Sequence, residues 1–483
     1  MKIINYILFI AVLSFSLSCK KYVEIEDPKD QLATGTVFTT DATATAAMVG
    51  IYSDMNASNY QFANVLTSFT CAMAADEFVY ASVLANFDEF KNNALTSGNG
   101  YVGLMWSSPY NFIYRSNAVI EGVSASGTLS PAVKNQLLGE AKFMRAFCHF
   151  YLVNFFGDVP LILNTDVIAN SSKPKTPKAE VYAAIIQDLK DAKSLLVSAY
   201  PGNGERTRPN KTAATLLLSR VYLYTGDNAL AEAESTEVIA ATTQYSLLKN
   251  ADPNNAAHMT KAFLKNSLEA VWQLQVVNTL GGRNTWEGNT LIPTGAPLYR
   301  LTKGSDGLES GFEAGDKRFS NWVGNYTTTT APIVTHYYPF KYKVRLGPTG
   351  AAVTEYSMIL RFAEAYLIRA EARVGLNRLS DAKDDLNVIR DRAGLAPLAV
   401  AATPAIAMAQ VEQERRAELF SEWGHRWFDL KRWKSLSGDP SKSRADDILP
   451  KSKSSWKSTA VLFPIPIEAM RTNPNMVQNP GYN

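Results

Sequence analysis

The residues that could carry chemistry are few, and their spacing serves it poorly. Four histidines stand at positions 149, 258, 336 and 425, far apart and in no HExxH or other paired spacing that would hold a metal ion. There is no GxSxG elbow, and Cys148, on an aromatic-rich run, reads as a small buried thiol. GNGERTRPNKT (202 to 212) has two glycines and a Lys-Thr pair but lacks the spacing that wraps backbone amides around a phosphate; Pro209 and Asn210 start the next helix instead. The densest set of acids and bases is VEQERRAELFSEWGHRWFDLKRW (411 to 433), where two carboxylates could act as the acid and base of a glycosidase. Glu412 precedes Arg416 by four, Glu422 precedes Arg426 by four and Asp429 precedes Arg432 by three, the geometry of ion pairs along a helix. A guanidinium beside a carboxyl lowers its pKa, the opposite of what a general acid needs. The run therefore reads as scaffold, with Phe420, Trp423, Trp427 and Leu430 as its apolar stripe. The chain reads as a non-enzyme with no cofactor and no metal.

The elements around these residues are mainly helical. Apolar periodicity marks helices at about 41–57, 104–122, 131–155, 178–198, 210–225, 229–241, 355–375, 379–392 and 405–434. Strand-like alternation is confined to about 269–276 and 459–464. Two stretches are alike in detail: 216–239 and 366–389 each place a small residue (Ser219, Ala370) twelve positions before an Ala (Ala231, Ala382), with a short turn between two helices. That spacing resembles the tetratricopeptide helix pair, in which small residues let the helices approach closely. Residues 134–156 with 178–196 suit a third pair, and 405–434 supplies at least one helix of a fourth. Residues 276–350 break this pattern, being rich in Gly, Thr, Asn, Tyr and Trp without helical period. A connection that long is more often functional than idle.

With 48 Lys and Arg against 45 Asp and Glu, scattered along the chain, there is no basic footprint for a nucleic acid. The first nineteen residues, MKIINYILFIAVLSFSLSC, have one Lys, an apolar run and small residues before a Cys, too short for a membrane span. A signal cut directly before a Cys resembles that of a bacterial lipoprotein, with residues 1–18 removed and Cys19 as the lipid-bearing residue. Residues 19–40 then form a polar leader.

Several ordered stretches resemble the SusD/RagB family. They are MWSSPYNFIYRSNAVIEG (105–122), GEAKFMRAFCHFYLVNFFGDVPLI, GDKRF (315–319), LRFAEAYLIRAEARV (360–374), ERRAELFSEWGHRWFDLKRW and PIPIEAMRTNPNMVQNPGY (464–482). The family comprises surface lipoproteins of Bacteroidetes that capture glycans or, in some members, peptides. The resemblance implies a SusD-like domain over 41–483: a scaffold of about four helix pairs (about 41–245 and 355–434), a loop-rich binding part (about 246–354) and a C-terminal segment (435–483). It also implies an outer-membrane position facing outward, with a SusC-like TonB-dependent transporter as partner. Within that picture Gly157 to Pro160 ends the first helix of a repeat, and the chain leaves the scaffold until about 178.

Sugar-contacting residues do not carry over from the family by motif, so candidates are chosen by chemistry. Sugars stack their C–H faces on exposed aromatics, and amide or guanidinium groups read their hydroxyls. Trp286, Trp322, Tyr326 and Tyr299, beside Arg283, Asn284 and Asn289, have that mixture, with Tyr80 as an earlier-loop candidate. Their aromatics are expected to form exposed platforms. Oligosaccharide capture leads, while peptide capture on the same scaffold, a tetratricopeptide-type adaptor for a protein ligand and a helical glycosidase stay open.

Overall fold

Most helices carry their own start and stop signals. Asn210 accepts a hydrogen bond from the Ala213 amide and Asp227 one from Leu230, closing the first turns of two consecutive helices. Pro131 and Pro404 occupy first-turn positions, where a missing N–H costs nothing, and Gly226 and Gly394 end their helices in the left-handed conformation. The computed structural model describes residues 34–249, 251–277 and 281–482. Its principal helices are α1 (Asp41–Met55), α2 (Thr67–Ala74), α3 (Ala85–Asn92), α4 (Gly100–Ala125), α5 (Pro131–Phe156), α6 (Lys178–Leu195), α7 (Lys211–Thr225), α8 (Asn228–Ala240), α9 (Trp286–Leu291), α10 (Lys317–Trp322), α11 (Phe362–Gly375), α12 (Leu379–Ala393), α13 (Pro404–Leu419) and α14 (His425–Arg432).

Helices α5 to α8 and α11 to α14 pack in succession as four pairs, with α4 against the outer side of α5. Ser219, Ala231, Ala370 and Ala382 are all buried where the pairs meet. This is the tetratricopeptide-like scaffold that the spacing implies. The chain is mainly α-helical, with three two-stranded antiparallel ribbons among the described residues. These pair β1 (Phe78–Tyr80) with β3 (Tyr299–Leu301), β2 (Ala270–Leu274) with β6 (Ser357–Arg361), and β4 (Val323–Thr327) with β5 (Thr335–Pro339). The expected strand near 459–464 is instead a short 3-10 turn, Ser458–Val461.

The aromatic run of α5 is core. Phe143, Phe147, Phe150, Tyr151, Phe155 and Phe156 are each at most 1% exposed. The helix stops because Gly157 takes φ 74 and ψ −126, open only to glycine, and a Cβ there would lie 3.0 Å from Leu462 Cδ1. The expected single helix over 405–434 is two helices, broken where Ser421, Trp423 and Gly424 all have positive φ. The break reroutes the expected ion pairs. Asp429 keeps Arg432 (2.8 Å), but Arg426 pairs with Asp76 (2.8 Å) and Glu412 (2.9 Å), while Glu422 pairs with Lys341 (2.5 Å) and Arg361 (2.9 Å).

A buried knot of charge ties the loop-rich part to the scaffold. Arg361, at the end of β6, contacts Glu269 (3.0 Å), Glu418 (2.6 Å) and Glu422, and Arg392 joins Glu269 (2.7 Å) and Glu418. Arg318 adds Glu414 (2.9 Å) and Asp316 (2.7 Å). Desolvation works against the Glu418 and Glu422 carboxylates. The surrounding guanidinium groups outweigh it and hold both below the usual carboxylate range.

Candidate functional site

A surface arc of aromatic side chains is built where β1 meets β3. Tyr80 and Tyr299 are direct cross-strand partners, their rings 5.2 Å apart. Tyr299 is buried, and its hydroxyl lies 3.0 Å from that of Tyr60, which sits in a turn at φ 55. Phe87 on α3 packs edge-on against Tyr80 (4.9 Å) and stacks on Tyr101 at the start of α4 (4.9 Å). Phe69 on α2 lies beneath, 5.0 Å from Phe87 and 5.2 Å from Tyr299. Phe69, Phe87 and Tyr299 thus form a rigid buried floor, and Tyr60, Tyr80 and Tyr101 are half-buried along its rim.

Neither the Tyr80 nor the Tyr101 hydroxyl has a hydrogen-bond partner among the described residues. Partial burial, and secondarily the neighbouring Tyr60, push both phenols above their ordinary pKa, so they remain neutral donors and acceptors. The segment 81–84 crosses beside them on the surface, with Val83 90% and Leu84 40% accessible. Half-exposed ring faces with unengaged hydroxyls, on a buried and packed floor, suit a ligand having apolar C–H faces edged by hydroxyls.

The structure places the remaining sequence-derived candidates elsewhere. Trp322 is fully buried, and this corrects the expectation of an exposed platform. Its ring lies 4.9 Å from Lys341, 4.9 Å from Arg392 and 5.6 Å from Arg361, and its Nε1 donates to the Met259 carbonyl (3.3 Å), so it fills the interior of the charged knot. Trp286 is 7% exposed, with its Nε1 donating to the Asn56 carbonyl (3.0 Å) and the Arg283 guanidinium 3.9 Å over its ring. It too is a packing residue, joining α9 to the loop that carries Tyr60. Asn284 is buried and its Oδ1 accepts from the Thr354 and Glu355 amides, which corrects its assignment to hydroxyl reading. Asn289 is half-buried on α9, next to Thr290, whose Oγ1 accepts from Asn59 (3.1 Å). Tyr326 is half-buried on the β4–β5 hairpin opposite His336. Only Tyr80 and Tyr299 of the eight meet in the arc. Tyr60, Phe87 and Tyr101 were not legible as partners, because they are distant in sequence and nothing local marks their rings as converging.

His149, Cys71 and Cys148 are structural. His149 is buried between the Arg145 carbonyl and the Ile162 amide, and burial lowers its pKa to about 3. Cys71 and Cys148 are free, buried thiols pushed above their ordinary pKa by desolvation. Among the described residues no group of three or more His, Cys, Asp or Glu could hold a metal ion. No helix among them is long and apolar enough to cross a membrane.

A stack of tetratricopeptide-like helix pairs carrying a loop-built aromatic surface defines a class of helical binding scaffold. The comparisons with known proteins narrow it. Residues 332–482 match the family model described as SusD family, and residues 21–223 match one described as starch-binding associating with outer membrane. SusD-like protein P25 of Formosa agariphila is 22% identical over 551 residues, spanning 100% of this chain and 99% of the relative. NanU of B. fragilis superposes with a TM-score of 0.75 at 21% identity, covering 95% of this chain and 100% of that one. A structure titled laminarin binding SusD-like protein gives a TM-score of 0.72 at 24% identity over 91% of this chain and 99% of its own. The chain belongs to the SusD/RagB family.

Proposed function

We propose that this chain is a non-catalytic, surface-exposed glycan-binding lipoprotein that captures an oligosaccharide on the Tyr60, Tyr80, Tyr101 and Tyr299 arc and passes it to a SusC-like TonB-dependent transporter. The observation that carries the reading is the pair of half-exposed rings, Tyr80 and Tyr101, whose hydroxyls are unengaged above a buried aromatic floor. Support comes from the family model described as starch-binding and from the relative titled laminarin binding. The acids of the strongest charged run favour binding over hydrolysis: Glu418, Glu422 and Asp429 are each ion-paired and held ionised by neighbouring guanidinium groups, unsuited to protonating a leaving group. Anchorage through Cys19, which lies outside the described residues, is the proposed link to the outer membrane.

A glycan array followed by calorimetry on the hit, comparing the wild type with Tyr80→Ala and Tyr101→Ala, tests the assignment. Weaker binding in both variants at unchanged melting temperature supports it. Unchanged affinity in both moves the ligand surface away from the arc, and release of shortened sugars by the wild type sinks the non-enzyme reading.

A further inference from the structure

Where α5 ends at Gly157, a cavity of about 450 Å³ opens that shares no lining residue with the aromatic arc. We propose that this cavity binds a small oxyanion, a carboxylate, sulfate or phosphate group, between the ammonium groups of Lys175, Lys178 and Lys431. The argument is one of unbalanced charge. Among the described residues, Lys431 Nζ donates to the Asn154 carbonyl and forms no ion pair. Lys175 donates to Asn479 Oδ1 (2.7 Å) and the Val477 carbonyl (3.4 Å), neither of them charged. Lys178, exposed at the start of α6, stands 5.6 Å from the Tyr182 ring centroid.

Three ammonium groups therefore face one carboxylate, Asp158, whose Oδ1 is already engaged by the Lys178 amide (2.7 Å). Arg432 also lines the cavity, but its charge is met by Glu371 (2.6 Å) and Asp429 (2.8 Å). By contrast, the buried guanidinium groups of Arg361, Arg318 and Arg426 are each paired with carboxylates. Burial lowers the Lys431 ammonium to about 7, with Lys178 adding repulsion, and the partial desolvation of Lys175 and Lys178 lowers theirs against the attraction of Asp158. An oxyanion between them relieves both penalties, since a like charge and a dry wall each disfavour the ammonium form and an opposite charge restores it. Phe428 and Leu462 supply an apolar wall, so a small organic ring carrying the charge also fits.

The inference does not rest on the saccharide reading of the arc. Its test is calorimetry on the full-length chain in detergent, at constant ionic strength, with sodium sulfate, sodium phosphate, sodium glucuronate and, as the uncharged control, glucose. At least one anion is expected to bind saturably, and Lys178→Gln or Lys431→Met to weaken it about tenfold. Tyr101→Ala is expected to leave it unchanged. Binding of the inorganic ions points to a free oxyanion, and binding of glucuronate alone to a carboxylate borne on a ring; both uphold the site. Lys178→Gln alters an exposed side chain, so the test survives if Lys431→Met fails to fold. No saturable binding of any anion, or equal affinity in a folded Lys178→Gln variant and the wild type, would overturn the proposal.

Discussion

Tyr80 and Tyr101 are available to a ligand because the residues beneath them are not. Their rings lean on Phe87 and, through it, on Phe69, so truncating a rim residue leaves the floor intact. Tyr101→Ala is expected to melt near the wild type while losing about 1 to 3 kcal/mol of glycan affinity, if sugar stacking resembles base stacking on aromatics. Trp322→Ala is the opposite case. It empties a fully buried site among Lys341, Arg361 and Arg392 and should cost about 3 to 5 kcal/mol of stability, read as an early chemical-denaturation midpoint. In sequence Trp322 stands in polar surroundings without helical period, as an exposed aromatic would. What separates it from Tyr101 is long-range: Trp322 is enclosed by charges from three later segments, and no local pattern announces that enclosure. Tyr80 and Tyr299 were legible as aromatics in irregular stretches, but their mutual pairing was not.

At the scale of elements, the helices were legible because apolar period and caps agree, as at Asn210, Asp227 and Gly226. The break between α13 and α14 was not. Ser421 and Trp423 adopt positive φ against their own preference, and the surrounding packing holds them there: Trp423 Nε1 donates to the Met358 carbonyl (2.8 Å) and its amide to Ser68 Oγ (3.2 Å). The end of α5 is set locally instead. Gly157→Ala must accommodate a positive φ and a close contact with Leu462, and a loss of about 1 to 3 kcal/mol in thermal or denaturant unfolding is expected. Glu418→Gln removes one of the two carboxylates that Arg361 and Arg392 share, leaving them Glu269. Removing one partner of a buried ion pair costs about 3 to 5 kcal/mol, so this isosteric change should lower the melting temperature sharply. A Glu418→Gln variant as stable as the wild type would show that the knot contributes nothing.

For the whole molecule, two sets of carboxyls pull the pH dependence in opposite directions. Asp76, Glu418, Glu422 and Asp429 lie below their unfolded values because guanidinium groups surround them. The stability they add is present above about pH 4.3 and lost as the pH falls. Burial instead raises Glu77 to about 8 and Glu287 and Glu355 to about 7, with Asp76 adding to the effect at Glu77. Such groups bind protons more tightly when folded, so stability declines as the pH rises from about 4.3 through 7 to 8. These carboxyls therefore favour stability near pH 5, against the opposite pull of His149 and His425, which burial keeps neutral and whose contribution improves as the pH rises toward 6.5. In unfolding followed across pH, Glu77→Gln should raise stability at pH 8 and change little at pH 5, whereas the same difference from the wild type at both pH values would contradict the assignment. In cells, Cys19→Ala is expected to remove the protein from the outer-membrane fraction, since the several acyl chains of a lipoprotein hold firmly. Retention of that variant in a strain lacking the transporter would count against lipid anchorage. Finally, the exposed segment 81–84 runs between two fixed posts, the β1–β3 ribbon and α3. Insertions or exchanges there can redraw the rim without touching the floor, so ligand preference can diverge between relatives far faster than the scaffold beneath it.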